Sequence, residues 1–227
     1  FTINKAHVEA VCRGLIEKKL AVKWSCMGDA INLSEELVGL MADSGCVGIK
    51  FGVETGSPRM MKTLGKPVDL EKVKAVTRWC AARGIKTHAT FSLGLLGEDE
   101  ASAGETLAYL EDLDTDSIQV SICTPFPGTR FFAAAEKDGL LKTRDWEKYD
   151  GKASEVIGHK SLDLDRAEAM RARAMKRWVF KRLASPRWVA RQARYFFRIL
   201  GGLGPRFIAS QAFALLREEK AFARETK

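Results

Sequence analysis

One carboxylate stands where an apolar run gives way to a turn. In KFGVETGSPRMMKTLGK, residues 50–66, Glu54 follows the run and precedes Gly56, Ser57 and Pro58. An ionised carboxylate so placed accepts strong hydrogen bonds from ligand hydroxyls, although a turn or N-cap carboxylate has the same look. Three other stretches set glycine beside polar groups: Gly28 with Asp29, Gly94 to Glu98 in SLGLLGEDE, and Thr124 to Thr129 in TPFPGT. Glycine there lets a backbone approach a ligand closely. His88, flanked by Thr87 and Thr90, reads either as an interior group near a substrate or as a satisfied core histidine. Lys50 points either inward or outward.

The five cysteines, Cys12, Cys26, Cys46, Cys80 and Cys123, lie 14, 20, 34 and 43 residues apart. No gap has the close spacing of a zinc or iron–sulfur ligand set, so no metal site is assigned within the chain. Most read as small buried hydrophobes. Their odd number points to a reducing, cytoplasmic setting.

The elements that must position these residues follow from periodicity. Val8, Val11, Cys12, Leu15 and Ile16 mark a helix over 4–20, and AVKWSCM (21–27) reads as a strand. Ser34 caps a helix with the stripe Leu37, Leu40 and Met41, closed by Gly45. Strands follow at 46–53, 85–95 and 117–123. Helices fall at MMKTL, after the cap Asp69, over 101–113 and near 130–139. The alternation predicts parallel strands with helical crossovers. Four strands are too few for a closed eight-stranded barrel, and no G-x-G-x-x-G follows the first strand. The fold class expected is α/β, a partial parallel β/α barrel missing its first strands. The ragged start and the lack of an initiator methionine read as a cut piece. In such folds ligands bind beyond the carboxyl ends of the strands, where all four stretches lie.

Taken together, GVETGS with Lys66 downstream, SLGLLGEDE with Thr106 downstream, and TPFPGT with Trp146 downstream resemble the second half of the radical S-adenosylmethionine (SAM) core. The variant most resembled follows a cobalamin-binding domain. The resemblance implies SAM, a [4Fe–4S] cluster and cobalamin as cofactors, a small-molecule or lipid-like substrate, and an electron donor such as flavodoxin or ferredoxin. It implies that Glu54 binds the SAM ribose, that Ser92 and Gly94 line the adenine, and that Thr124 and Pro125 approach the adenine through backbone groups. Glu98 is expected to stabilise its turn or cap the next helix. Cys26 and Cys123, at strand ends, are either hydrogen donors or plain core thiols. The implied reaction is reductive cleavage of SAM, with hydrogen abstraction from an unactivated carbon leading to methylation, cyclisation or rearrangement.

The departures are specific. The family's C-x-x-x-C-x-x-C loop is absent, so the cluster ligands are expected outside this chain and this polypeptide alone is expected to be inactive. Leu96 replaces a usual proline, and Asp29 stands near where many relatives carry arginine. The alternatives are an RNA-modifying methylthiotransferase-like enzyme, a β/α-barrel enzyme without an iron–sulfur cluster, and a non-catalytic, membrane-attached binding module.

Charge divides the chain. Residues 163–227 hold 16 Lys and Arg against 6 Asp and Glu, whereas residues 1–162 hold 21 against 23. The expected organisation is a barrel portion over 1–150, a polar linker over 151–162 and a basic helical appendage over 163–227. Within 169–217 there is no acidic residue, and cations alternate with aromatic and aliphatic side chains. Such helices either pack back on the barrel or lie on an anionic membrane surface, at the inner membrane face. Nucleic-acid contact is the weaker expectation, because no RNA-binding signature accompanies the charge. No run of apolar residues is long enough to span a bilayer.

Overall fold

A computed structural model describes residues 1–65, 68–150 and 153–202. The chain divides into two compact units, Phe1–Lys181 and Arg182–Lys227. In the first unit, β1 (Trp24–Gly28), β2 (Cys46–Glu54), β3 (Lys86–Leu93) and β4 (Ser117–Ile122) pair in that order, every pair parallel. Around them run α1 (Lys5–Glu17), α2 (Glu35–Asp43), α3 (Pro58–Leu64), α4 (Leu70–Ala82), α5 (Glu100–Asp112) and α6 (Arg130–Lys137). Then come the short α7 (Ala153–Val156), α8 (Leu164–Leu183) and, in the second unit, α9 (Pro186–Gly202). The expected α/β class with parallel strands is what the structure shows. Lys66 and residues 203–227 of the expected basic appendage lie outside the described residues.

The predicted caps form. Ser34 Oγ accepts the Leu37 N–H at 3.2 Å, and Asp69 Oδ1 accepts those of Glu71 and Lys72, each at 3.0 Å. The first strand differs from expectation by starting at Trp24 rather than Ala21. Gly45, at φ +100°, turns beneath the preceding loop; a Cβ there would collide with the Val22 carbonyl oxygen. The loop thus crosses over Gly45 before Trp24 N–H bonds the Gly45 carbonyl at 3.2 Å. Pairing with β2 begins only there.

Strand alternation separates the two faces of the sheet. Ile49, Phe51 and Val53 on β2, Ala89, Phe91 and Leu93 on β3, and Val120 on β4 are buried. The apolar stripes of α2 (Leu37, Val38, Met41), α4 (Val73, Val76, Cys80) and α5 (Ala103, Leu107, Leu110) are buried with them. The alternate positions, Gly48, Lys50, Gly52 and Glu54 with Lys86, His88, Thr90 and Ser92, are only partly covered.

Residues 153–162, expected as a polar linker, instead pack within the first unit. Val156, Ile157 and Leu162 are buried, and Ile157 bridges Leu141 antiparallel. Lys142 N–H donates to the Val156 carbonyl at 2.8 Å, and Gly158 N–H to that of Leu140 at 2.7 Å. The few apolar residues of this segment suffice because its backbone finds a partner strand. Beyond it, Leu164, Ala167, Ala174 and Trp178 form the buried stripe of α8. The cations of α8 meet acids of α5: Arg177 bonds Glu111 Oε1 at 2.6 and 2.8 Å, and Lys181 bonds Asp112 Oδ1 at 2.6 Å. This part of the basic segment packs back on the sheet unit.

Phe91 is fully buried between the central strands and α5, its ring edge-on to Tyr109 at 6.2 Å. Truncation there forfeits both transfer energy and packing. Phe91→Ala is expected to lower unfolding stability by about 3–5 kcal/mol, read from urea denaturation.

Candidate functional site

The site is built at the carboxyl ends of β2, β3 and β4. Glu54 ends β2 with φ +68°, and only Lys19 shares a positive φ among the non-glycine residues described. The Thr55 N–H returns to the Val53 carbonyl at 3.0 Å, an i→i+2 turn centred on Glu54. Such a γ-turn is rare and strained in an L-residue, costing about 1–3 kcal/mol. The β2–β3 register shifts between Gly52 and Glu54, so the carboxylate is re-aimed at the rim.

Threonines hold that turn in place. Thr106 Oγ1, on α5, lies 2.9 Å from Thr55 Oγ1 and accepts the Gly56 N–H at 3.1 Å. It donates in turn to the Ser102 carbonyl at 3.0 Å, which leaves Thr55 as the donor between the two hydroxyls. The Ser57 N–H closes the set on Thr55 Oγ1 at 3.1 Å. Gly56 is required here, since a Cβ would sit 2.6 Å from Tyr109 Cβ. Arg59 ties the same segment to the next loop through the Gly97 carbonyl at 3.0 Å, Ser102 Oγ at 2.9 Å and Asp99 Oδ2 at 2.8 Å.

The structure brings Ser92 to Glu54: its hydroxyl donates to Glu54 Oε2 at 2.9 Å across β2 and β3. Gly94, at φ +77°, is buried and turns the chain away from β3. A Cβ there would meet Leu164 Cδ2 at 3.2 Å and Ile122 Cγ2 at 3.3 Å. Glu98, fully buried, holds that turn by accepting the Gly94 N–H at 2.6 Å and the Leu95 N–H at 3.2 Å. Thr124 is half-buried and Pro125 buried, beyond a Cys123 N–H that bonds the Leu93 carbonyl at 2.7 Å. Burial pushes the Cys123 thiol up to about 11, so it stays protonated at neutral pH. Asp29 instead caps its own 3-10 turn, accepting the Ile31 N–H at 3.0 Å, while its N–H bonds Thr2 Oγ1 at 2.6 Å.

His88 and Lys50 lie on the same partly covered face as Glu54. His88 Nδ1 is 2.8 Å from Ser117 Oγ. Cys12, Cys46 and Cys80 are buried, as expected of small hydrophobes. Among the described residues no three His, Cys, Asp or Glu side chains converge to hold a metal ion. Thr55 and Arg59 were not singled out from sequence. Thr106 stood out only as lying downstream of SLGLLGEDE; the packing of α5 reveals the clamp.

A parallel α/β arc whose polar face ends in a glycine-bordered rim has the fold of a partial β/α barrel. Residues 1–110 match the family model described as the Radical SAM superfamily. An uncharacterized methyltransferase of Pyrococcus horikoshii is 28% identical over 66% of this chain and 32% of its own length. The anaerobic magnesium-protoporphyrin IX monomethyl ester cyclase of Rubrivivax gelatinosus is 25% identical over 66% of this chain and 27% of its own length. The match therefore spans a third or less of these relatives. In fold, the chain resembles the radical SAM methyltransferase TsrM of Kitasatospora setae, solved with cobalamin and a [4Fe–4S] cluster bound. That likeness has a TM-score of 0.53 and 21% identity, and covers 62% of this chain and 29% of TsrM.

Burial raises the Glu98 carboxyl to about 7, against the lowering effect of the Leu95 and Gly94 N–H groups. Between the ordinary carboxylate range near 4.5 and about 7 the folded state binds the proton more tightly than the unfolded state. Stability is thus expected to fall as pH rises through that window, by up to about 3 kcal/mol. Urea unfolding at pH 5 and pH 8 reads this difference, and Glu98→Gln is expected to flatten it.

Proposed function

We propose that this rim binds SAM, and that the whole protein is a radical SAM enzyme associated with cobalamin. In such an enzyme a [4Fe–4S] cluster would supply the electron for reductive cleavage of SAM, and hydrogen abstraction from an unactivated carbon would lead to methylation, cyclisation or rearrangement. The observation that carries the reading is the strained Glu54, joined to Ser92 and clamped by Thr106, within the segment that matches the superfamily. The described residues suit the nucleoside of SAM. They offer no ligand set for a cluster.

The geometry supports the proposed roles. Glu54 accepts hydrogen bonds from the ribose hydroxyls, and Ser92 occupies one lone pair on Oε2 so that the carboxylate keeps a fixed orientation. Gly94 shapes the rim by turning sharply away, with Glu98 holding its N–H. Thr124 and the buried Pro125 supply backbone to the adenine from β4. The hydrogen-bonded turn is set before ligand arrives, so little ordering entropy remains to be lost on binding. Substrate enters the polar face below the rim.

In the holoenzyme, Glu54→Gln is expected to weaken SAM binding by about 10- to 100-fold, the range for a hydrogen bond to a charged group. Calorimetric titration checks it, and unchanged affinity would sink the ribose assignment.

Peripheral membrane contact is proposed for α9. Within that helix Phe196 and Phe197 are 58% and 67% exposed, and Arg187 and Arg194 are exposed as well. No helix of the described residues is long and apolar enough to cross a membrane. Co-sedimentation of the full chain with phosphatidylglycerol vesicles at low salt is expected, with clear loss in Phe196→Ser/Phe197→Ser. Equal sedimentation of the variant, or none of the parent chain, argues against it.

A further inference from the structure

The turn that closes β3 is too permissive to hold its own shape. Gly94 sits at φ +77°, and glycine takes such angles about as readily as negative ones. Its form is therefore set by what grips the backbone. Glu98 Oε2 accepts the Gly94 and Leu95 N–H groups, while Cys123 N–H donates to the Leu93 carbonyl. The Leu95 carbonyl accepts from two donors, the Glu98 N–H at 3.0 Å and His159 Nε2 at 2.9 Å. Three consecutive peptide units between Leu93 and Leu96 are thereby held.

His159 is the long-range member of this set, 64 residues from Leu95 in sequence. The Ser161 N–H donates to its Nδ1 at 3.3 Å, so the proton lies on Nε2 and points at the Leu95 carbonyl. The imidazole is half-buried, and the chain is anchored on both sides of it. Gly158 N–H bonds the Leu140 carbonyl at 2.7 Å, and Lys160 Nζ bonds Asp138 Oδ2 at 2.8 Å. Farther on, Leu162 and Leu164 are buried, and Leu164 lies beside Gly94. A segment held at Leu140 and Asp138 thus reaches the β3 turn and grips it through His159.

We propose that His159 is a positioning residue for the nucleoside end of the SAM site. By fixing the Leu95 carbonyl it fixes the Gly94 turn, which follows directly on the Ser92 that orients Glu54. Loss of the bond leaves the Leu95 carbonyl one donor short and lets the Gly94 turn sample other angles. His159 lies outside residues 1–110, so the rim is completed by chain beyond the matched segment. The assignment rests on the reading of the rim as the SAM site.

The test compares the holoenzyme with His159→Leu, which fills the space without a donor, and His159→Gln, whose side-chain amide keeps a donor at similar reach. The probes, titrated by calorimetry, are SAM and methylthioadenosine, the same nucleoside without the amino-acid end. His159→Leu is expected to weaken both by about twofold to tenfold, the range for one hydrogen bond, and His159→Gln to recover most of the loss. Amide exchange at Leu95 and Glu98 in the full chain reads the grip without any ligand, and is expected to quicken in His159→Leu by a similar factor. Unchanged affinity or unchanged exchange in His159→Leu overturns the proposal, as does a loss for SAM alone. Equal losses in the Leu and Gln variants overturn it too, because they mark packing rather than the hydrogen bond. Glu54→Gln separates the two readings. If it weakens SAM while His159→Leu does not, the positioning role fails and the rim stands. If neither variant weakens SAM although exchange quickens, the rim reading itself has failed.

Discussion

Everything functional in this molecule depends on one constraint, the period of two along a strand. Because successive side chains alternate between faces, the sequence of β2 commits Ile49, Phe51 and Val53 to the helices and delivers Gly48, Lys50, Gly52 and Glu54 to the other side. β3 repeats the division with Ala89, Phe91 and Leu93 against Lys86, His88, Thr90 and Ser92. A slip of one residue in either strand would bury charge and expose phenylalanine, so the apolar face enforces the register. That register, in turn, places Lys50 and His88 below Glu54 on the partly covered face. Stability and chemistry use the same alternation and cannot be tuned separately.

At the rim the alternation ends, and geometry has to be imposed by other means. A left-handed Glu54 costs about 1–3 kcal/mol. Each net hydrogen bond returns about 0.5–1.5 kcal/mol. Thr106, Thr55, Gly56 and Ser57 together make enough buried bonds to offset that strain. Thr106 does so from α5, an element that enters the chain only after β3. The conformation of the turn is therefore a tertiary property, held by a helix about fifty residues away. Arg59 and Glu98 extend the same logic to the neighbouring loop, which keeps the β2 and β3 ends in fixed relation.

How much of this the sequence discloses follows from which interactions are local. Caps such as Ser34 and Asp69, and the four strands, are legible because their signals lie within a few residues. Glu54 and Ser92 are each visible as polar residues at strand ends, but their hydrogen bond depends on a register shift that no local pattern encodes. The orientation of Lys50 was open because β2 contains two glycines and a mixed pattern, which weakens the apparent alternation. The segment before α8 looked like a linker because its apolar residues are sparse among polar ones. Its burial comes from backbone pairing with residues 140–142, a non-local event.

The basic tail shows the difference between charge and its use. Sequence assigns the whole of 169–217 one character, yet α8 spends part of its charge on α5. The ion pairs of Arg177 with Glu111 and Lys181 with Asp112 involve exposed groups, so each contributes little energy of its own. The buried stripe Leu164, Ala167, Ala174 and Trp178 supplies the attraction, and the acids of α5 select the helix rotation that faces the cations toward them. Arg171 adds a direct bond to the Val120 carbonyl at 3.0 Å, reaching the sheet itself. A helix held this way closes the apolar side of β4 and α5, and its cations are largely committed. Among the described residues of the tail, α9 is where exposed aromatic rings and arginines share one helix.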